Sequence, residues 1–122
     1  MAKGNELGDY TLRLITVTVK PGLSGSVVLE GNWEGIATGY GTILCTSLWV
    51  GGDSGTYTFY SAVYLDTGER LTGTATGSYE TIGKHVWKTE AILRLSDGDS
   101  VATEGTVDLI GRIWTGKFYE IV

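Results

Sequence analysis

The sequence predicts an all-β fold: one antiparallel meander of about eight strands that closes into a small barrel. Three observations carry this expectation. Between Asp9 and Val122, apolar and polar residues alternate in successive short stretches, the period of a strand. Gly-rich or Asp-Gly segments punctuate the stretches, and the chain holds a single proline. The 122 residues are the length of one domain. A flat meander would expose two edges, and closure removes them. Eight strands enclose a lumen that side chains fill or that holds one small ligand.

The first strand is expected at residues 9–20. Leu12 and Leu14 fall on one face and Ile15, Val17 and Val19 on the other, and Pro21-Gly22 ends it. Residues 1–8 read as a flexible N-terminus of the single domain 1–122. The second strand is expected at 25–36 and the third at 40–50, before the loop Gly51-Gly52-Asp53-Ser54-Gly55. The fourth, at 56–65, is rich in Thr and Tyr, as strands prefer. Asp66-Thr67-Gly68-Glu69 is a hairpin turn leading into the fifth, at 70–79.

The sixth strand is expected at 85–95. That stretch also holds Val86, Glu90 and Leu93 at helical spacing among good helix formers. The turn beyond it favours a hairpin instead. Ser96-Asp97-Gly98-Asp99 is the strongest turn in the chain, because Asp-Gly suits a two-residue type I′ hairpin. The seventh strand follows at 100–110 and the eighth at 113–121.

Composition excludes several classes. The net charge is −5 and the nine Lys and Arg are scattered, so the basic patch of a nucleic-acid-binding surface is missing. The 19 glycines have no collagen period and fit tight turns and crowded places in a coiled sheet. One cysteine, Cys45, cannot form an internal disulfide and sits among apolar and small residues as a buried hydrophobe would. No apolar run has the length of a membrane-spanning helix, and the first residues lack a signal-peptide core. A cytoplasmic protein without a membrane partner is the expectation.

The turns allow a prediction of faces. With Asp97-Gly98 in a two-residue turn, Leu95 pairs with Ser100. One face then carries Val86, Lys88, Glu90, Ile92, Arg94, Val101, Thr103, Gly105, Val107 and Leu109. The other carries His85, Trp87, Thr89, Ala91, Leu93, Leu95, Ala102, Glu104, Thr106, Asp108 and Ile110. Lys88, Glu90 and Arg94 form a charge ladder that wants water, which turns the second face inward with His85, Glu104 and Asp108. Burying carboxylates costs several kcal/mol unless they are paired, so such a lumen is wet, paired or functional. In the opposite assignment Val86, Ile92, Val101, Val107 and Leu109 are core, and the carboxylates are surface residues. If they point outward instead, those apolar residues make a subunit interface.

The fourth and fifth strands are treated alike. With Thr67-Gly68 in the turn, Tyr60 faces Ala75 and Tyr64 faces Leu71, and Thr58, Tyr60, Ala62 and Tyr64 share a face with Gly73, Ala75 and Gly77, large phenols over small residues. Tyr57, Phe59, Val63 and Leu65 take the other face with Arg70, Thr72, Thr74, Thr76 and Ser78, so aromatics on both faces imply that neither is fully solvated. For the last hairpin, a Gly111-Arg112 turn sets Asp108 opposite Thr115, with Lys117 diagonal to Asp108. If Arg112 belongs to the strand, Arg112, Trp114 and Phe118 share a face.

The motifs are few. Glu30 and Glu34, and Glu104 and Asp108, are carboxylates four apart, each pair on one face of its strand. His85 is the only histidine, the residue type most used for general acid–base chemistry. No His-Glu-x-x-His spacing exists, so no metal and no cofactor is expected. Gly31-Asn32-Trp33 contains a Gly-x-Trp and resembles the motif that lipocalins carry on their first strand, where the indole closes one barrel end. Here it falls on the second strand and covers three residues. The resemblance implies a calycin-like ligand-holding barrel with Trp33 at one end.

Three functions fit. The first is a barrel that binds a small apolar or aromatic molecule, lined by Trp33, Trp87, Tyr60, Tyr64 and Lys117. The second is a cofactor-independent isomerase, cyclase or hydratase using Glu104, Asp108 and His85 as acid–base groups, with Tyr60 or Tyr64 as hydroxyl donor. The third is a homo-oligomer subunit whose lumen is packed solid.

Overall fold

The computed structural model describes residues 3–122. Eight antiparallel strands form a closed barrel in chain order. They are β1 (Lys3–Pro21), β2 (Val27–Ala37), β3 (Gly41–Gly51), β4 (Ser54–Leu65), β5 (Arg70–Gly83), β6 (Val86–Leu95), β7 (Ser100–Asp108) and β8 (Ile113–Ile121). One 3₁₀ turn, Leu23–Gly25, joins β1 to β2. The stretch with helical spacing, 84–95, is strand β6 beyond its turn.

β1 closes the barrel and is the longest strand. It pairs with β8 through residues 3–13 and with β2 through residues 10–21. That offset is the stagger a barrel requires when its strands tilt. Of residues 1–8, expected to be a flexible terminus, 3–8 belong to strand β1, and 1–2 lie outside the described residues. A bulge between Leu14 and Thr16 adds one residue to β1. It returns Val17 and Val19 to the face of Leu12, whereas strict alternation sets them on the opposite one.

The core is the lumen. β3 alternates without exception: Ile43, Cys45, Ser47 and Trp49 are buried, and Leu44, Thr46, Leu48 and Val50 are exposed. Large inward rings face small inward residues on neighbouring strands. The Tyr10 hydroxyl lies against Gly105 and Gly116, which pair across β7 and β8, and a Cβ at either position would overlap it. Large and small side chains interleaved in this way fill a barrel to the density of a protein interior.

Two turns set the inward faces. In residues 65–69 the Gly68 amide donates to the Leu65 carbonyl at 3.0 Å, and the Leu65 amide donates to the Glu69 carbonyl at 2.8 Å. In residues 95–99 the corresponding bonds, Gly98 to Leu95 and Leu95 to Asp99, are 3.1 and 2.8 Å. Gly68 and Gly98 have φ of 95° and 97°, the left-handed region that suits glycine. Each is a three-residue loop ending in a glycine bulge, not the two-residue type I′ turn the sequence predicts. The extra residue moves each register by one, so Tyr64 pairs with Arg70 and Arg94 with Ser100.

A one-residue slip exchanges the faces of a whole strand. On β4, Tyr57, Phe59, Ser61 and Val63 point inward, while Tyr60 and Tyr64 are 63% and 45% exposed. On β6 the inward set is the predicted one, Trp87, Thr89, Ala91 and Leu93. On β7 it is Val101, Thr103, Gly105 and Val107. Glu104 and Asp108 consequently stand on the outer wall, which corrects their expected place in the lumen. Val101 and Val107 are buried, so the apolar outer stripe expected across β6 and β7 does not form.

Candidate functional site

The lumen is unlike at its two ends. One end carries the connections at residues 22–26, 52–53, 84–85 and 109–112, and indoles fill it. Trp49 stacks on Tyr57 with ring centroids 4.4 Å apart, and lies 5.3 Å from Trp87 and 5.2 Å from Trp114. Trp33 lies 5.4 Å from Trp114, and Tyr79 lies 4.6 Å from Trp87. Edge-to-face and offset contacts of this kind add to the energy of burial.

Buried hydroxyls satisfy the indoles. Trp33 Nε1 and Trp49 Nε1 both donate to Ser47 Oγ, at 2.8 and 2.7 Å. Trp114 Nε1 donates to Thr89 Oγ1 at 3.2 Å. Ser47 and Thr89 are 0% and 1% exposed. A buried indole N–H without a partner costs about 1–3 kcal/mol, so these small residues fix the large ones in place. Nothing in the alternation of β3 distinguishes Ser47 as a shared acceptor.

The other end carries the connections at residues 38–40, 66–69 and 96–99. There the lumen holds a cavity of about 40 Å³. Its walls include Ile43, Val63, Leu71, Leu93, Leu95 and Phe118, with Tyr57 and Trp114 toward the indole cluster and Tyr40 beside the rim loops. No Asp, Glu, Lys, Arg or His is among the lining side chains. Tyr40, Leu71 and Leu95 are half-buried, as is Phe59 deeper in the barrel.

The polar atoms of the cavity are hydroxyls. Tyr57, Ser61 and Thr103 line it, and Ser61 Oγ donates to the Gly73 carbonyl at 3.2 Å. Burial pushes the Tyr10 and Tyr57 phenols far above the usual range, with the hydroxyl of Thr89 beside both partly offsetting it. Both are neutral hydrogen-bond donors near pH 7 and not bases. Burial also pushes up the Cys45 thiol, which keeps it protonated and unreactive.

The expected site residues are dispersed. Trp33 and Trp87 lie in the lumen, at 4% and 8% exposure, within the filled half. Tyr60 and Tyr64 are on the outer wall. Lys117 is exposed on the outer wall, where Nζ bonds Glu6 Oε1 at 3.0 Å. Lys117 stands opposite Glu104, and Asp108 opposite Ile113 and not Thr115, because the last connection is four residues long. Trp114 and Phe118 share the inward face, while Arg112 lies in the turn with φ of 58°.

The three acid–base candidates are all outside. Glu104 pairs with Lys3. Asp108 Oδ1 accepts the amides of Ile110 and Gly111, each at 3.0 Å, and so closes the β7–β8 turn. His85 is exposed in the β5–β6 turn, with φ of 59°. It neighbours Asp108 through the Leu109 amide, which donates to the His85 carbonyl at 3.0 Å, but Glu104 is four residues further along β7. Among the described residues no three His, Cys, Asp or Glu side chains converge as ligands to a metal would. Glu30 and Glu34 also face outward, bonded to Lys20 and Arg13.

Sequence reasoning missed Tyr10, Trp49, Tyr57, Trp114 and Phe118. Trp114 and Phe118 carried a signal, as residues sharing a face in one of the two registers open for β8, and so did Tyr57, grouped with Phe59 and Val63 on one face of the fourth strand. Comparison of the chain with protein-family models, curated proteins and solved structures finds no match in any of the three.

Proposed function

We propose that the protein binds a small, uncharged apolar molecule in the cavity at the 38–40, 66–69 and 96–99 end of the lumen. The carrying observation is the asymmetry of the lumen. Four indoles and their hydroxyl acceptors fill one half, and the other half is an apolar cavity with no charged wall. Apolar pockets with a few placed polar groups are the usual form of small-molecule sites.

Size narrows the ligand. The cavity of about 40 Å³ is several times smaller than the ~150 Å³ engineered cavity that takes up benzene. It suits the end of an aliphatic chain entering past Tyr40 and Leu95. A whole ring requires those rim side chains to move. This use of the lumen is lipocalin-like in the sense that Gly31-Asn32-Trp33 implied, with Trp33 in the filled half. Binding is favoured over acid–base catalysis because Glu104, Asp108 and His85 lie outside the barrel.

Tryptophan emission tests the reading. Among the four tryptophans only Trp114 lines the cavity. A short 1-bromoalkane quenches a nearby indole through its heavy atom, and saturable, partial quenching is the expected result. Ala75 also lines the cavity, and Ala75→Phe fills the space and removes the quenching. Linear, non-saturating quenching equal in both proteins would overturn the proposal.

A further inference from the structure

The stagger that closes the barrel leaves β1 with one neighbour at each of its two ends. β8 follows β1 only as far as Arg13, which stands opposite Ile113, with one more bond from the Leu14 amide to the Arg112 carbonyl. β1 continues to Pro21, held by β2 alone. Among the described residues nothing bonds the other side of residues 16–21.

The hydrogen-bond phase of this edge follows from its two ends. Gly22 N–H donates to the Ser26 carbonyl at 2.8 Å, in register with the β1–β2 ladder beyond the bulge. Alternation then aims the backbone groups of Thr16, Thr18 and Lys20 at β2. Those of Val17 and Val19, both N–H and C=O, point away from β2 to the free edge. The two side chains are 49% and 63% exposed.

Proteins blunt such edges with charge, proline or bulges. The opposite free stretch of β1 carries Lys3, Glu6 and Asp9. Residues 16–19, Thr-Val-Thr-Val, carry no charge; the Ile15 bulge precedes them, and Lys20, paired with Glu30 on β2, and Pro21 follow.

We infer that this edge is where a second copy of the chain pairs, antiparallel, about a two-fold axis at Thr18. In that register Val17 lies opposite the partner's Val19, and Val19 opposite the partner's Val17. The two N–H and two C=O groups on each edge then satisfy one another. Val–Val pairs meet on one face, and Thr18 meets the partner's Thr18 on the other, both favourable cross-strand pairs. Lys20 falls opposite the partner's Thr16, so no like charges meet. Pro21, which has no N–H to leave unpaired, falls opposite the partner's bulged Ile15. Among the described residues this is the one uncharged free stretch of β1, so the assembly closes at two copies.

Equilibrium sedimentation and hydrogen exchange test this. The wild type is expected at twice the 13.1 kDa chain mass, with the Val17 and Val19 amides protected. Val17→Pro removes only the free-edge donor, because that amide does not bond β2, and is expected to give a folded monomer. Circular dichroism and the melting curve verify its folding. As a second variant pair, V17K/V19K and V17E/V19E are each expected to be monomers, since like charges then face across the axis. Their equimolar mixture is expected to form a dimer. A wild type that is monomeric at the highest soluble concentration would overturn the inference, as would a dimer that survives Val17→Pro, or a mixture that stays monomeric.

Discussion

Arg94 pairs with Ser100 across the β6–β7 ladder, and this one pairing decides which side of the wall β7 presents to the lumen. With Arg94 opposite Ser100, Val101, Thr103, Gly105 and Val107 face inward. Glu104 and Asp108 face water. The three-residue loop closed by Gly98 enforces the pairing. Deleting one residue from 96–98 should therefore exchange the faces of β7, driving two carboxylates into an apolar lumen and Val107 out of it. The deletion variant is expected to be unfolded or aggregated by circular dichroism and gel filtration. A native-like spectrum and melting point would show that the loop does not set the register.

Ser47 is a sharper test of the packed half. Its hydroxyl is the shared acceptor for two buried indoles, so Ser47→Ala leaves both N–H groups unpaired. The expected cost is about 3 kcal/mol in chemical denaturation, from roughly 1–3 kcal/mol per orphaned buried donor. Trp33→Phe in the Ser47→Ala background should lose less than in the wild type, because one orphan disappears with the indole. A Ser47→Ala protein as stable as wild type would mean that the bonds carry no net stability.

The carboxylates should behave as surface groups. Glu104→Gln breaks an exposed pair with Lys3 and is expected to change stability by less than about 1 kcal/mol. Asp108→Ala removes the acceptor of two turn amides and should cost about 1 kcal/mol. Neither should alter quenching of Trp114 by the bromoalkane. Loss of that quenching in either variant would place the ligand elsewhere.

Stability should fall in alkali. Burial raises the Tyr10 and Tyr57 phenols above the unfolded value of 10.0, so the folded protein holds protons that the unfolded chain releases. The associated stability is fully present below pH 10 and declines as pH rises beyond it. Each tyrosine contributes a slope of about 1.4 kcal/mol per pH unit there. Tyr57→Phe is expected to lower the overall stability and to make the slope above pH 10 shallower. An unchanged slope would show that Tyr57 titrates normally.

The architecture was legible because strand alternation and turn residues are local signals. Eight strands in order, and the inward set on β6, follow from the chain alone. The faces of β4 and β7 were not legible. Asp97-Gly98 fits both a two-residue type I′ turn and the end of a three-residue loop with a glycine bulge, and the difference is one residue of register. The same ambiguity at Gly68 turned Tyr60 and Tyr64 outward and brought Tyr57 and Phe59 in. β3 offered Ile43 and Trp49 on one face and Leu44, Leu48 and Val50 on the other, so apolar content could not choose between them. The cavity itself depends on where Trp114, Tyr57 and Phe118 meet, across strands far apart in sequence.

The most direct test of ligand binding in the lumen is a methyl-resolved NMR titration of the wild type with a short aliphatic alcohol. Binding in the lumen should give saturable shifts at Ile43, Val63, Leu71, Leu93 and Leu95, which line the cavity, with Leu14 and Val107 unmoved in the filled half. Shifts confined to the outer-wall methyls of Leu44, Leu48 and Val50, or no saturable shift anywhere, would contradict it.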